Sequence, residues 1–208
     1  MRSKGYFITM EGGEGCGKTT HSKALKKHLE GRGYKVILTR EPGGTPTGKA
    51  IRRILLSNSS RINAAAELLL FAADRFEHVQ KIVAPALSEG SVVISDRYVD
   101  STTAYQIGGR GLPEDMVKYI NRVSSAGVVP DLTFILDVSP KIGMKRASVD
   151  GRDRFERESI EFHTMVRKAF LNIGKRSPKR VKIIDSNKDL ATVGDEIMHI
   201  ADQILKKV

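Results

Sequence analysis

Short apolar runs rich in β-branched residues recur along the chain at positions 6–10, 36–39, 92–95, 132–138 and 181–185. None alternates strictly between apolar and polar residues, the pattern of strands covered by helices on both faces. Between them the apolar positions take helical spacing. A first helix over 19–31 carries Ala24, Leu25 and Leu29 on one face and stops at Gly31 and Gly33. A second has Ala50, Ile51, Ile54 and Leu55 at core spacing, which leaves Arg52 and Arg53 near the opposite edge. The stretch 64–90 is helical, with Pro85 marking a kink or a restart. Pro113 opens a helix, and Ser139 and Pro140 supply an N-cap and first turn for another that reaches Arg146. A later helix faces the core with Phe162, Met165, Val166, Ala169, Phe170 and Ile173 and closes at Gly174. The last presents Val193, Ile197, Ile200, Ile204 and Leu205. Five strands alternating with helices predict an α/β protein, a five-stranded parallel sheet flanked by helices in three layers. Its sites are expected at the carboxyl ends of the strands. At 208 residues without a composition break, the chain reads as one domain, 1–208.

Those strand ends carry the chemistry. The first strand runs into FITMEGGEGCGKTT, in which Gly12, Gly13, Glu14, Gly15, Cys16, Gly17, Lys18 and Thr19 complete a phosphate-binding loop. Glycines let successive backbone N–H groups point at one centre, Lys18 can reach the β- and γ-phosphates of an NTP, and the Thr19 hydroxyl can ligate Mg²⁺. A helix continuing through Thr20 sets its positive end beneath the phosphates. The second strand delivers TREPGGT, a more charged turn than a surface loop requires. The third ends in Asp96-Arg97-Tyr98, where Asp96 can serve a Mg²⁺ shell beside Thr19 or pair with a neighbouring arginine. Phe71 and Arg75 stand four apart on one helix face, able to present a ring and a guanidinium to one ligand or simply to join the apolar stripe of Leu68. Positions 146–157, RASVDGRDRFER, hold four arginines around Gly151 and read as a flap over an anion or an ordinary charged loop.

A formal charge of +11 calls for anionic partners, either nucleic acid or small phosphate esters. The basic cluster KRSPKRVK lacks interleaved aromatics and reads as a solvated loop. The lone Cys16 excludes an internal disulfide framework, and the five scattered histidines carry no metal-ligand spacing, so each is expected on a surface or helix face. With no apolar run of transmembrane length and no signal-like N-terminus, a cytoplasmic protein without membrane partners is expected.

Taken together, EGGEGCGKTT, TREPGGT, FAADR, DRYVDSTTAYQIGGRG and PDLTFILDV resemble, in order and over nearly the whole chain, the thymidylate kinase family of P-loop nucleoside-monophosphate kinases. The resemblance implies a P-loop NTPase three-layer fold with a short arginine-rich lid at about 146–157, and transfer of the γ-phosphate of ATP to dTMP. It further implies Mg²⁺, dTMP as the small-molecule partner rather than nucleic acid, and a homodimer. Another deoxynucleotide or deoxynucleoside as acceptor, or a nucleic-acid-dependent ATPase, are the alternatives. By the same resemblance Phe71 stacks on thymine, Arg75 faces its edge, and Arg52 and Arg97 hold the acceptor phosphate. Glu14 and Glu41 lie near the acceptor's sugar and phosphates, Thr102, Tyr105 and Gln106 line the nucleoside pocket, and Thr19 and Asp96 serve the metal.

Because the phosphate loop interior has no basic residue, the resemblance assigns the catalytic arginine to the lid, with Arg152 and Arg154 foremost and Arg146 and Arg157 as further candidates; Arg146 could instead stack on adenine. Arg75, a pure donor, is expected to carry most of the discrimination between thymine and cytosine. Gln106 is expected to adapt to either base by turning its amide.

Overall fold

The computed structural model describes residues 5–147 and 153–205. Five parallel strands, β1 (Tyr6–Gly12), β2 (Val36–Arg40), β3 (Val92–Asp96), β4 (Leu132–Asp137) and β5 (Val181–Asp185), form one sheet in the order β2-β3-β1-β4-β5. The register pairs Met10 with Asp96 on one side of β1 and Gly12 with Leu136 on the other. The end of β1 therefore sits centrally, beside the ends of β3 and β4.

Burial on both faces explains the absence of alternation. Along β1, Ile8 and Met10 join Leu25 and Leu29 of α1 (Lys18–Gly31) and Val193 and Ile197 of α9 (Leu190–Leu205). Phe7, between them, turns to the other face and packs with Val93 and Tyr98, its ring 4.8 Å from that of Tyr98. On that second face Ile135 of β4 meets Phe162 and Phe170 of α8 (Ile160–Arg176).

The helices that reach the site are α2 (Pro46–Leu56), capped by the Thr45 side chain accepting from Gly48 N, and α3 (Ala64–His78), capped by Asn63. The helix does not stop at Pro85: the backbone stays helical from α3 through a π-helical turn, Val79–Val83, in which Ala84 N–H bonds to Val79 O, into α4 (Ala84–Ser88). Pro85, which has no N–H to give, directly follows that wider turn. After β3 come α5 (Val99–Thr102), a π-helical segment Thr103–Gly109, α6 (Glu114–Ser124), and, beyond β4, α7 (Pro140–Arg146).

Some sequence expectations fail here for physical reasons. Ile54 and Met165, both at core spacing, are 49% exposed, because spacing defines a face but not whether a neighbour covers all of it. Gly174 does not close α8, which continues to Arg176; it lets the helix approach β5, where a Cβ would stand 2.6 Å from Ile183 Cδ1. Ser139 precedes α7 without a side-chain cap, its carbonyl instead accepting from Ile142 N and Gly143 N.

Candidate active site

The ends of β1, β2 and β3 open onto a cavity of about 300 Å³. Its wall includes Glu14, Gly15, Gly17, Lys18, Thr19 and Thr20 from the loop after β1 and the start of α1. The loop is pressed against α7: Gly15 has φ 64°, and a Cβ there would overlap the Gly143 carbonyl oxygen, while one on Gly143 would overlap the Glu14 carbonyl oxygen. Both positions therefore need glycine, one for its backbone and both for the close approach. Lys18 is 8% exposed and folds over the loop, donating from Nζ to Gly13 O (2.7 Å) and Gly12 O (3.2 Å). Gly12, Gly13 and Cys16 do not border this cavity, and Cys16 is buried in the core. Across 77 positions of sequence, Thr19 Oγ1 donates to Asp96 Oδ2 at 2.6 Å.

Arg97 follows Asp96 with φ 75°, a left-handed conformation that costs energy for any residue but glycine. Its guanidinium reaches Glu14 Oε1 (2.6 Å), Gly12 O and Ser101 Oγ, and lies 5.1 Å from the Tyr105 ring centre. Tyr105 O–H donates to the same Glu14 oxygen at 2.6 Å. Burial works to raise the Glu14 carboxyl, but Arg97, Lys18 and the Tyr105 hydrogen bond outweigh it and bring the pKa down to about 2. Glu14 thus stays ionised and holds Arg97 at the mouth of the phosphate loop.

At the end of β2, buried Glu41 accepts from Arg75 Nε and His78 Nδ1, both at 2.8 Å, and His78 Nε2 contacts Thr39 Oγ1 at 2.7 Å. Arg75 is further fixed by Asn121 Oδ1 (2.9 Å) and Thr102 Oγ1 (2.7 Å), with Tyr98 beneath it at 5.2 Å. Neighbouring Asp74 accepts Gly43 N–H on Oδ1 at 2.9 Å, while its Oδ2 is buried without a partner among the described residues. Burial and then the Glu41 charge raise Asp74 to about 6. Arg52 donates to Pro42 O at 3.0 Å, and burial followed by the nearby Arg40 charge lowers its pKa. The cavity is also bordered by half-buried Phe71, whose ring is 5.8 Å from that of Phe155, and by Gln106.

The structure thus brings Glu14, Lys18, Thr19, Glu41, Arg52, Phe71, Arg75, Asp96, Arg97, Thr102, Tyr105 and Gln106 to one cavity. It does not bring Arg154 there. That side chain donates from Nε to Leu55 O, its Nη2 stands 2.6 Å from Glu67, and it lies over Phe155 at 4.7 Å. Arg146 is exposed and donates to Ser186 O in the turn after β5, away from the cavity. Arg152 lies outside the described residues. Among those described, no group of three or more His, Cys, Asp or Glu side chains could hold a metal ion. No described helix is long and apolar enough to cross a membrane.

Sequence reasoning missed Glu67, Asp74, His78 and Asn121. Each reads as an ordinary helix residue until tertiary packing supplies its partner. The histidines lie on helices, as expected, but three of them, His21, His78 and His163, are on buried faces, at 4%, 0% and 5% exposure. Their imidazoles have enough apolar surface to be enclosed; His78 has both nitrogens bonded.

The family model "Thymidylate kinase" matches residues 10–197. A thymidylate kinase of Thermoanaerobacter sp. (strain X514) is 41% identical over 202 residues, covering 97% of this chain and 100% of its own length. One of Gloeobacter violaceus is 42% identical over 204 residues, covering 97% and 96%. The crystal structure of thymidylate kinase from Ehrlichia chaffeensis superposes with a TM-score of 0.78 at 35% identity, covering 95% of this chain and 99% of that one. With a full-length match joined to a phosphate loop, a TREPGGT turn and a DRY strand end around one cavity, the chain belongs to the thymidylate kinase family.

Proposed function

We propose that this chain transfers the γ-phosphate of ATP to the phosphate of dTMP, giving ADP and dTDP. One observation carries the reading: a single cavity is bordered both by the phosphate loop with its Thr19–Asp96 contact and by Arg52, Arg97, Phe71, Arg75 and Gln106. The first set suits a triphosphate; the second suits a nucleoside monophosphate, with cations for its phosphate and a ring and polar groups for its base.

An oxygen of the acceptor phosphate attacks the γ-phosphorus while the bond to the ADP oxygen breaks, and the acceptor needs no general base because its phosphate is already anionic. The work left to the protein is positioning and positive charge. Glu14 orients Arg97, Glu41 orients Arg75, and Lys18 exchanges its loop carbonyls for phosphate oxygens. Arg152 is the lid arginine proposed to add charge at the transferring group, since Arg154 is held by Leu55 O and Glu67. Thr19 and Asp96 suit Mg²⁺, which takes few protein ligands alongside phosphates and waters. When bound, that ion neutralises charge on the donor phosphates.

We further place the protein in the cytoplasm as a single-domain homodimer. Exposed Leu69 and Phe76 lie on one face of α3, and exposed Tyr119 and Val123 lie on α6, which packs beside it. Sedimentation should give twice the chain mass, and charges introduced at Leu69 and Phe76 should halve it.

The deciding assay couples ADP release to dTMP, dUMP, dCMP, dGMP and thymidine in turn. Turnover with dTMP far above the others supports the reading. ATP hydrolysis without a phosphorylated nucleotide would refute it.

A further inference from the structure

Gln106 is completely buried, borders the cavity, and holds a polar atom that no described residue satisfies. Its Nε2 donates to Glu67 Oε1 at 2.8 Å, whereas its Oε1 is buried without a partner among the described residues. Glu67, in the first turn of α3, is itself 0% exposed. Its Oε1 also receives Arg110 Nε at 3.0 Å, and its Oε2 faces Arg110 Nη2 at 3.2 Å and Arg154 Nη2 at 2.6 Å. A carboxylate set between two guanidiniums can only accept hydrogen bonds, so the amide has one orientation. Turning it over would press the Gln106 oxygen against a carboxylate oxygen in a dry interior.

We infer that Glu67 is a specificity-determining positioning residue, locking the Gln106 amide so that the pocket presents an acceptor to the ring nitrogen of the base. The inference rests on the proposed dTMP kinase activity and names a residue that never touches the substrate. Thymine and uracil carry a proton on N3 and can fill the empty acceptor; cytosine carries a lone pair there and cannot. Arg75 adds a donor suited to the carbonyl at position 4, where cytosine has an amino group. Cytosine therefore meets two mismatched groups rather than one. The expectation that Gln106 turns to suit either base is overturned, because the partner that would permit the turn is a carboxylate.

The test compares kcat/KM for dTMP, dUMP and dCMP in wild type, Glu67→Gln, Gln106→Leu and the double variant. A glutamine at 67 can donate or accept, which frees the Gln106 amide to turn. Wild type should prefer dTMP over dCMP by on the order of a thousandfold or more, since the wrong base leaves buried polar groups unpaired. Glu67→Gln should narrow that ratio at least about tenfold, which is the order of discrimination lost when one buried hydrogen-bonding group ceases to select. Gln106→Leu should narrow it too, and the double variant should be no narrower than Gln106→Leu alone, because Glu67 acts through the amide. A purely structural role would slow all three acceptors alike.

The wild type supplies a measurement that does not depend on any variant folding. In its dTMP complex, NOEs from the Gln106 amide protons should be stronger to Glu67 than to the thymine N3 proton. Amide NOEs to thymine N3–H with none to Glu67, an unchanged ratio in folded Glu67→Gln, or an equal Glu67→Gln effect in the Gln106→Leu background would each overturn the role of Glu67. A wild type that phosphorylates thymidine or none of the three monophosphates would instead overturn the kinase reading itself.

Discussion

Replacing Asp74 by Asn should stabilise the protein above neutral pH by an amount that the folded geometry sets. Asp74 is 1% exposed, one oxygen accepts Gly43 N–H, and the other has no partner among the described residues. Burial and the Glu41 charge raise its pKa from 3.8 to about 6. The folded state therefore holds this proton over a range in which the unfolded chain has released it, and stability falls as pH rises from about 4 to about 6. A shift of roughly two units corresponds to about 3 kcal/mol lost at pH 7, as an order of magnitude. Asn copies the protonated form, keeping a carbonyl for Gly43 while removing the charge. The advantage of Asp74→Asn over wild type should grow by about 1 kcal/mol between pH 5 and pH 7 and then level off. Urea unfolding of both proteins at closely spaced pH values measures it, and taking the difference cancels every other titrating group. A difference that stays flat across that range, or that shrinks as pH rises, would show that Asp74 is ionised without penalty and that the buried oxygen has an unrecognised partner.

Lys18→Ala should lower turnover at least about a hundredfold, the usual worth of a preorganised charge at a transition state, with thermal stability nearly unchanged; near-normal turnover would refute its role. Gly15→Ala imposes a left-handed conformation costing about 1–2 kcal/mol and drives a methyl group into the Gly143 carbonyl, so the midpoint of thermal unfolding should fall and KM for ATP should rise severalfold. Arg75→Gln should narrow the dTMP to dCMP ratio. It should also destabilise the fold by roughly 3–5 kcal/mol, because Glu41 is left buried with His78 as its remaining partner; a denaturation midpoint equal to wild type would contradict the pairing. Arg152→Ala is expected to reduce kcat more than it raises KM for dTMP, and an unchanged kcat would move the role to another arginine.

The sequence alone determined whatever depends on neighbours along the chain. The phosphate loop is contiguous, so its eight residues and the strand and helix on either side declare themselves together. The five strands were legible because helices cover both faces, most fully at the central β1, β3 and β4, so apolar residues crowd their positions. Charged turns at two further strand ends pointed to the carboxyl edge of the sheet, and with the phosphate loop they carried the family resemblance.

Tertiary structure decided what depends on partners far apart in the chain. The sequence left Asp96 either beside Thr19 or paired with an arginine; its hydrogen bond from Thr19 follows from β3 lying beside β1, a sheet order that no local pattern contains. Periodicity gave Ile54 and Met165 to the core, but packing left each about half exposed. Arg154 reads as a free cation on a polar segment; folding returns it to Leu55 and Glu67. Glu67 shows the limit most plainly. In sequence it is an acidic residue in a helix's first turn, a common and uninformative position. Its meaning arises only when the π-helical segment brings Gln106 and Arg110, and the stretch after α7 brings Arg154, to the same carboxylate. A side chain's chemistry is written in its residue type, but its orientation is set by the groups it must satisfy once water is excluded.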